Sequence, residues 1–573
     1  MGATHLWEIV QPACQVRSLS QLTVSEGFEE DRNSRHTIVV GVDASIWLHQ
    51  TQAVFHHARH SQAGENPKLR ILFYKLNRLL DQCLDVVVVF DGNERPATKH
   101  QAPAEAEAEL AFLNRMGIID VVMTDDSDAL IFGAVHVMWN LNIKKDKDNV
   151  TIYSAQSIKS TAGINLTQGG LLLIAIICGG DYDKAGLLGC GKVVAHGLAQ
   201  TTLGDTLLEA GRDMSEAELV NFLVQWRKLL RVELLTNKHG FLKCQYPSVV
   251  NAIHPDFPDP SVVLKYTQPI TSWSHGRPLP PFSTWFTHEP DLAQLGALAE
   301  RSFSWPPDKI VEKFRKRIWA GVCLHRLLEE KSPLLALVDH VVHGIVTDGL
   351  PGLSAFRQIC GVNSSSLTST IPFYAIEILE NNLLKKATST LQNNTDVPMA
   401  RKIAVKLPVS IVRRILPGLH WKKPLPPDLQ LKEWELILKP MDPIINIKNT
   451  ADVPDTPYPC LITDHVGRMA DDADDLHATS SSSHKLPPPV ALQENMTGNL
   501  GLSHSRGRLI SDFLHLTNDY TDFNLTGSDN LLFDLTDTVL DLTNDLTDSD
   551  TRPAPITSGR LFTDEVIDLT IDD

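Results

Sequence analysis

Acidic residues recur where apolar runs end. Asp43 closes IVVGVD and Asp91 closes DVVVVFD. Glu105, Glu107 and Glu109 alternate with alanines in APAEAEAEL, while Asp125, Asp126 and Asp128 follow IIDVVMT. Asp181 and Asp183 follow LLLIAIICGG. Carboxylates gathered at one place repel one another unless positive charge joins them. A hard divalent cation such as Mg²⁺ supplies it, taking oxygen ligands from carboxylates, water and phosphate. Two such ions about 3.5–4 Å apart can polarise a phosphodiester, generate hydroxide and stabilise the leaving oxygen. Singly, each acid has a plainer reading as a turn former, an Asx turn in DDSD, or an exposed helix start in EAEAE. Four groups, each at the C-terminal end of a sheet element, favour the joint metal-site reading.

The elements that must position these acids alternate between two periods. HTIVVGVDAS (36–45), DVVVVFDG (85–92) and IIDVVMTDDSDAL (118–130) are apolar runs of the buried parallel-strand type, and HVMWNL and NVTIYS add two shorter strands. Between them, Leu69, Leu72, Phe73, Leu76, Leu79, Leu80 and Cys83 repeat at helical spacing. A second helix is expected to open at Pro103, with acids near its positive end. Strands alternating with helices imply an α/β fold with a mostly parallel sheet. Ligands bind such sheets beyond the carboxyl ends of the strands, where the acids are. Residues 166–330 read as largely helical, with a Ser215…Glu218 capping box and a Pro-rich break at GRPLPPFSTW (276–285). Residues 335–447 give mixed signals, and 451–573 turn to Asp, Ser, Thr, Pro and Asn, the composition of a disordered tail.

The chain of 573 residues has 52 Lys+Arg, 69 Asp+Glu and a formal charge of −17, which on its face disfavours a phosphate-bearing partner. The charge is uneven. Residues 451–573 hold 23 acids and 6 bases, leaving 46 of each in the first 450 residues. The excess belongs to the tail. Eight scattered cysteines without a C-x-x-C pair fit reduced thiols rather than a disulfide framework or a zinc site. MGATHLWEIV lacks the basic start and apolar core of a signal peptide, and Leu6 stands where a myristoylation motif wants Ser or Thr. The longest apolar run, Leu171 to Cys178, is well short of the ~20 residues a membrane span needs. A soluble intracellular protein without a membrane partner is expected.

In order and content the motifs resemble the XPG-type structure-specific nucleases, a family that includes flap endonucleases and eukaryotic Holliday-junction resolvases. MGATHLW is similar to that family's opening, VDASIWL to its first metal-ligand strand and VVVVFDGNERPATK to its second. APAEAEAELAFLN and VVMTDDSDALIFGA are similar to its internal motif, and GGDYDKAGLLGCGKVVA to its last ligand plus a helix-two-turn-helix. Together they span residues 1 to about 200. The resemblance implies a PIN-like nuclease core over 1–165 and a helix-two-turn-helix and helical DNA-binding region over 166–330. A small chromodomain-like, β-containing module would follow over 335–447. It implies that Asp43, Asp91, Glu105, Glu107, Asp126, Asp128 and Asp181 are catalytic and hold two Mg²⁺ ions, with Mn²⁺ as a substitute. Lys99 lies near the family's catalytic lysine. The implied partner is branched duplex DNA, met by Gly2, Gly186, Gly189, Gly191 and Lys192, with a monovalent cation at the hairpin, dimerisation on junctions and a nuclear location. Glycine suits such a hairpin because it permits positive φ and close approach of backbone amides to phosphate.

One departure stands out. Only 13 residues separate Asp91 from Glu105, where the family has a basic arch and a further strand. At roughly 3.5 Å per residue that stretch can cross the site but cannot build an arch. The basic residues left there are Arg95, Lys99 and His100.

Outside the site, KIVEKFRKRIW (309–319) puts five bases on one helix, readable either as DNA contact or as a surface helix burying Ile310, Phe314 and Ile318. RKIAVKLPVSIVRRILPGLHWKK (401–423) is also basic; Trp421 and Trp434 would suit the small β module. The tail repeats LHLT, FNLT, FDLT, LDLT and NDLT and ends in EVIDLTIDD. VIDLT among acids resembles a SUMO-interacting motif, whose Val566, Ile567 and Leu569 would add an edge strand to SUMO or a sumoylated protein. The leading expectation is a Mg²⁺-dependent structure-specific DNA endonuclease of the resolvase-like branch. Its rival is a DNA- and SUMO-binding protein whose nuclease is impaired by the missing arch. A phosphatase-like use of Asp91 as nucleophile is disfavoured, since FDGNERP lacks an Asp two residues later.

Overall fold

The computed structural model describes residues 2–30, 36–48, 66–90, 105–139, 148–272, 274, 285, 290–338, 355–363, 371–392, 397–416 and 418–422. Its centre is a six-stranded sheet of β1 (Gln15–Ser18), β2 (Ile38–Asp43), β3 (Leu84–Val89), β4 (Val121–Met123), β5 (His136–Met138) and β6 (Asn149–Ser154). The spatial order is β1-β6-β5-β4-β2-β3. β2, β3, β4 and β5 run parallel, whereas β6 pairs antiparallel with both β5 and β1. The mostly parallel α/β expectation holds. β1, which carries only one fully buried residue, gave no strand signal.

The parallel strands are apolar throughout because both faces are covered. One face packs on Leu72 and Leu79 of α2 (Pro67–Leu80) and on Leu19, Leu22 and Trp47. The other packs on α1 (Leu6–Val10), α3 (Ala106–Arg115) and α4 (Gln168–Cys178), whose Leu171–Ile177 are all buried. α3 starts at Ala106, with Glu105 as its N-cap, so the helix opens later than the Pro103 start expected from sequence.

Beyond α4 come α5 (Lys192–Ala199), α6 (Leu203–Asp213), α7 (Glu216–Thr236) and α8 (Pro260–Thr267). The expected capping box is present at α7, where Glu218 accepts from the backbone N–H and hydroxyl of Ser215. Leu219, Leu223, Trp226 and Leu230 of α7 join the core that holds α4. No described helix is long and apolar enough to cross a membrane, and no disulfide joins the described cysteines.

A second core gathers α9 (Leu292–Phe303), α10 (Pro307–Arg317) and α11 (Trp319–Val338) with an antiparallel sheet of β7 (Phe356–Asn363), β8 (Phe373–Leu379) and β9 (Lys402–Pro408). α12 (Asn381–Thr388) and α13 (Val409–Ile415) complete it. The boundary expected near residue 330 therefore does not separate two cores. Leu295, Phe303, Phe314 and Trp319 pack with Ile359, Tyr374, Ile376 and Val405 in one cluster. An amphipathic pattern shows that a helix face is buried, but not which neighbour buries it. A small β sheet does lie within 335–447; Trp421 meets Tyr374 edge to face at 5.4 Å, while Trp434 lies outside the described residues.

Candidate active site

Strand register brings the acids together. Asp43 pairs with Val89 across β2–β3, Val42 with Met123 across β2–β4, and Met123 with Met138 across β4–β5. The parallel strands therefore end at one edge, and Asp43 and the turn Thr124–Asp128 share it. Asp43 is buried; its Oδ1 accepts the N–H groups of Ser45 (2.9 Å) and Ile46 (3.2 Å), capping the helix that follows. The plain cap reading is thus true of Asp43, and it leaves Oδ2 facing the Thr124 hydroxyl at 3.4 Å.

The DDSD turn is wound on itself. Asp126 N–H donates to Thr124 Oγ1 at 3.1 Å, Asp128 N–H to Asp126 Oδ1 at 2.9 Å, and Ala3 N–H to Asp128 Oδ1 at 2.9 Å. Asp126 is 0% and Asp128 1% exposed. Trp7 ties the N-terminal helix to the same turn, its indole N–H donating to the Asp125 carbonyl at 2.9 Å. Gly2, expected beside DNA, packs here at φ +83°, where a side chain would strike Asp126 Oδ1, Ser127 Oγ and Asp128 Oδ1. The acid turn itself requires glycine at that position.

Glu105, Glu107 and Glu109 are all buried. Glu105, at the N-cap of α3, accepts the hydroxyl proton of Tyr182. Glu109 turns the other way and accepts the Ser272 N–H at 2.8 Å; burial pushes its carboxyl up, partly offset by Ser272. This division separates Glu105, which turns toward the Asp181 loop, from Glu109, which turns away. Asp181 is half-buried in the loop after α4. Tyr266 of α8 reports on the convergence. Burial first, then the negative charges of Asp128, Asp181, Asp126 and Glu105, push its phenol far above the usual range. Four carboxylates from three separate segments therefore act on one hydroxyl. Neither tyrosine was singled out from sequence: Tyr182 follows Asp181 directly, whereas nothing in the motif order pointed to Tyr266. Asp91 and Lys99 lie outside the described residues.

Among the described residues no three His, Cys, Asp or Glu side chains already stand as a metal-holding cluster. The donor set nevertheless suits a hard cation. It is all oxygen, mostly buried, and backbone N–H groups donate to Asp43, Asp126 and Asp128. Burying several ionised carboxylates at one rim costs several kcal/mol each unless positive charge offsets it, which a bound cation would supply.

The glycine loop lies beside this rim. Gly179 (φ +83°), Gly186 (φ +57°) and Gly189 (φ +80°) are left-handed, whereas Gly191 has φ −81° and caps α5. A side chain at Gly186 would meet the Ile177 carbonyl oxygen, so tight packing demands that glycine; one at Gly191 would meet nothing. Leu188 at the tip is 80% exposed. Lys192 begins α5 with half its side chain in solvent and pairs with Glu8 of α1 at 2.5 Å, which holds the Glu8 carboxyl below its usual range. The basic helix α10 is more structural than its charge suggests. Ile310 and Phe314 are buried, and Arg315 is committed to Glu380.

Residues 1–109 match the XPG N-terminal domain and residues 98–181 the XPG I-region. A flap endonuclease GEN homolog 1 from Mus musculus is 26% identical over 254 residues, 36% of this chain. The match spans about a quarter of the curated relative's length, 26%. Among solved structures, a eukaryotic junction-resolving enzyme GEN-1 binding caesium aligns with TM-score 0.55 at 23% identity, covering 76% of this chain and 99% of that one. The Holliday junction-resolving enzyme GEN1 in complex with product DNA and Mg²⁺ aligns with TM-score 0.53 at 22% identity, over 76% and 99%. These likenesses show a shared fold.

Proposed function

We propose that this chain, whose first 181 residues carry the XPG N-terminal domain and I-region, is a Mg²⁺-dependent structure-specific endonuclease that cuts branched DNA. The observation that carries this reading is the carboxyl edge of the parallel sheet, where Asp43 faces the hydrogen-bonded Thr124–Asp128 turn and Glu105 binds Tyr182 beside Asp181. Asp43, Asp91, Glu105, Glu107, Asp126, Asp128 and Asp181 would hold two Mg²⁺ ions, or Mn²⁺ in their place. When bound, such ions orient a water and polarise the scissile phosphodiester.

The chain's own residues do the remaining work. The hydrogen-bonded DDSD turn fixes two carboxylates in a dry rim, Tyr182 orients Glu105, and Lys99 would meet the phosphate. The glycine loop presents backbone N–H groups and Lys192 to one strand of a duplex, with a monovalent cation held there. GEN-1 structures binding caesium and potassium support that cation. A nuclear protein that dimerises on junctions fits the same reading, with a chromodomain-like use of the β7–β9 sheet. Val566, Ile567 and Leu569, which lie outside the described residues, would engage SUMO.

The test is cleavage of a nicked flap and a four-way junction in Mg²⁺, against an Asp126→Ala control. Cleavage that the control lacks supports the proposal. Junction binding without cleavage above the control overturns it and leaves a DNA-binding protein whose short 92–104 connection does not support chemistry.

A further inference from the structure

Two tyrosines lie side by side over the acid rim, and they are satisfied differently. Tyr182 and Tyr266 meet edge to face with ring centroids 4.6 Å apart. The Tyr182 hydroxyl donates to Glu105 Oε2. The Tyr266 hydroxyl is buried and has no hydrogen-bond partner among the described residues. Its residue is 3% exposed, so bulk solvent does not reach the group. A buried phenol left in this state costs about 1–3 kcal/mol, and such groups in folded proteins have a reason.

The surroundings supply the reason. The oxygen sits against the Cα of Gly180, leaving no room for a side chain there, and Gly180 immediately precedes Asp181. Ala3, whose N–H holds Asp128 Oδ1, borders the same space. Of the four carboxylates that act on the phenol, Asp128 and Asp181 weigh most. The hydroxyl therefore lies in the negative field of these carboxylates and bonds none of them. A ligating carboxylate leaves one oxygen outside the ion's coordination sphere, and outer partners that hold that oxygen commonly tune metal affinity.

We infer, building on the metal centre proposed above, that Tyr266 is a positioning residue of that centre. Its hydroxyl donates to the outer oxygen of Asp128 or Asp181 once a divalent cation draws that carboxylate inward. Tyr266 stands on α8, outside the XPG N-terminal domain and I-region, so the helical region takes part in metal binding rather than only in DNA contact.

The experiment uses the full chain and Mn²⁺ alone as probe, with binding read by electron paramagnetic resonance of the unbound ion and melting temperature recorded with and without metal. Wild type, Tyr266→Phe and Asp128→Asn are compared. The expected result is that Tyr266→Phe melts at or above wild type without metal, because the deleted hydroxyl is buried and bonds nothing there. Its Mn²⁺ affinity falls about tenfold, the low end of what outer partners contribute, and its metal-induced rise in melting temperature shrinks. Wild-type affinity in Tyr266→Phe overturns this inference and leaves the metal centre standing. A lowered melting temperature without metal overturns it in favour of a purely structural phenol. Failure of wild type to bind Mn²⁺ more tightly than Asp128→Asn removes the metal centre and the inference together.

Discussion

Two buried carboxylate environments in this molecule are built on opposite plans. In the second core, Glu380 is fully buried and met by four donors of its own chain. Arg315 Nε reaches both of its oxygens at 3.1 and 2.9 Å, and Arg315 Nη2 comes to 2.5 Å. Trp319 Nε1 donates at 3.1 Å and the Arg401 N–H at 3.0 Å. Burial raises the Glu380 carboxyl, yet Arg315, Trp319 and Arg401 outweigh it and hold the group below its ordinary range. At the sheet edge, Asp126 and Asp128 are as deeply buried but are met by backbone N–H groups, and their charge falls on one another and on Tyr266. In the second core the fold gives the carboxylate a cation; at the rim it gives backbone N–H donors.

The largest effect that can break this comparison is on Glu380. Glu380→Gln leaves the Arg315 guanidinium, whose side chain is 11% exposed, facing a neutral amide. The expected loss is about 3–5 kcal/mol, the usual consequence of removing one partner of a buried pair, read by urea unfolding and unchanged by Mg²⁺. The sign with pH follows. The Glu380 carboxyl is lower when folded, so its stabilisation is present above the unfolded value near 4.3 and is lost as pH falls through the folded value. The rim should answer the other way. Asp128→Asn should lower DNA cleavage by at least about 100-fold, since even outer partners of metal ligands are worth 10–100-fold. Metal-free stability should stay level or rise as repulsion is relieved. Equal destabilisation by both substitutions would erase the distinction between the two sites.

A middle-sized effect is expected where the two cores touch. Asp81, at the end of α2, lies against α11, and burial pushes its carboxyl up to about 7 despite Arg317, Arg78 and the Gly321 N–H. Asp81 Oδ1 has no hydrogen-bond partner among the described residues. Because the folded value is raised, the penalty is absent near pH 4, grows as pH rises from about 4 to 7, and is complete above. Asp81→Asn should therefore stabilise the protein by about 1–2 kcal/mol at pH 8, allowing for partial exposure, and leave it unchanged at pH 4. Thermal unfolding at both pH values reads this directly; a gain of equal size at both would show that ionisation is not the cause.

The rim was largely legible in the sequence because it is local in kind. A continuous apolar run can only be a strand or helix buried on all sides, and an acid at its end marks the edge where parallel strands stop. Asp43, Asp126 and Asp128 follow from that rule, whereas Asp181 follows a buried helix and Glu105 opens one. What escaped was non-local. Arg315 reads in sequence as one base among five on an amphipathic helix, and its commitment to Glu380, 65 residues away, leaves no periodic trace. Tyr266 is silent for the same reason: a tyrosine in VVLKYT looks like helix core until α8 is laid over Gly180. Helices α9–α11 showed that they had apolar faces without showing that the β7–β9 sheet covers them. Asp91, Lys99 and the VIDLT segment lie outside the described residues.

The smallest effects separate two glycines of one loop that sequence treats alike. Gly186 is left-handed, and a methyl group there would press on the Ile177 carbonyl oxygen and the Gly179 nitrogen. Gly186→Ala should cost about 1–3 kcal/mol of stability, as a strained backbone position does. Gly191, at φ −81° with open space around its Cα, carries neither constraint. Gly191→Ala should change stability by no more than about 0.5 kcal/mol, the range of surface substitutions. If the N-terminal amides of α5 meet a phosphate, that added methyl intrudes on the approach, so duplex affinity in Ca²⁺ should fall several-fold while melting is unchanged. A loss of stability without loss of affinity would mean that Gly191, like Gly186, serves the turn and not the DNA.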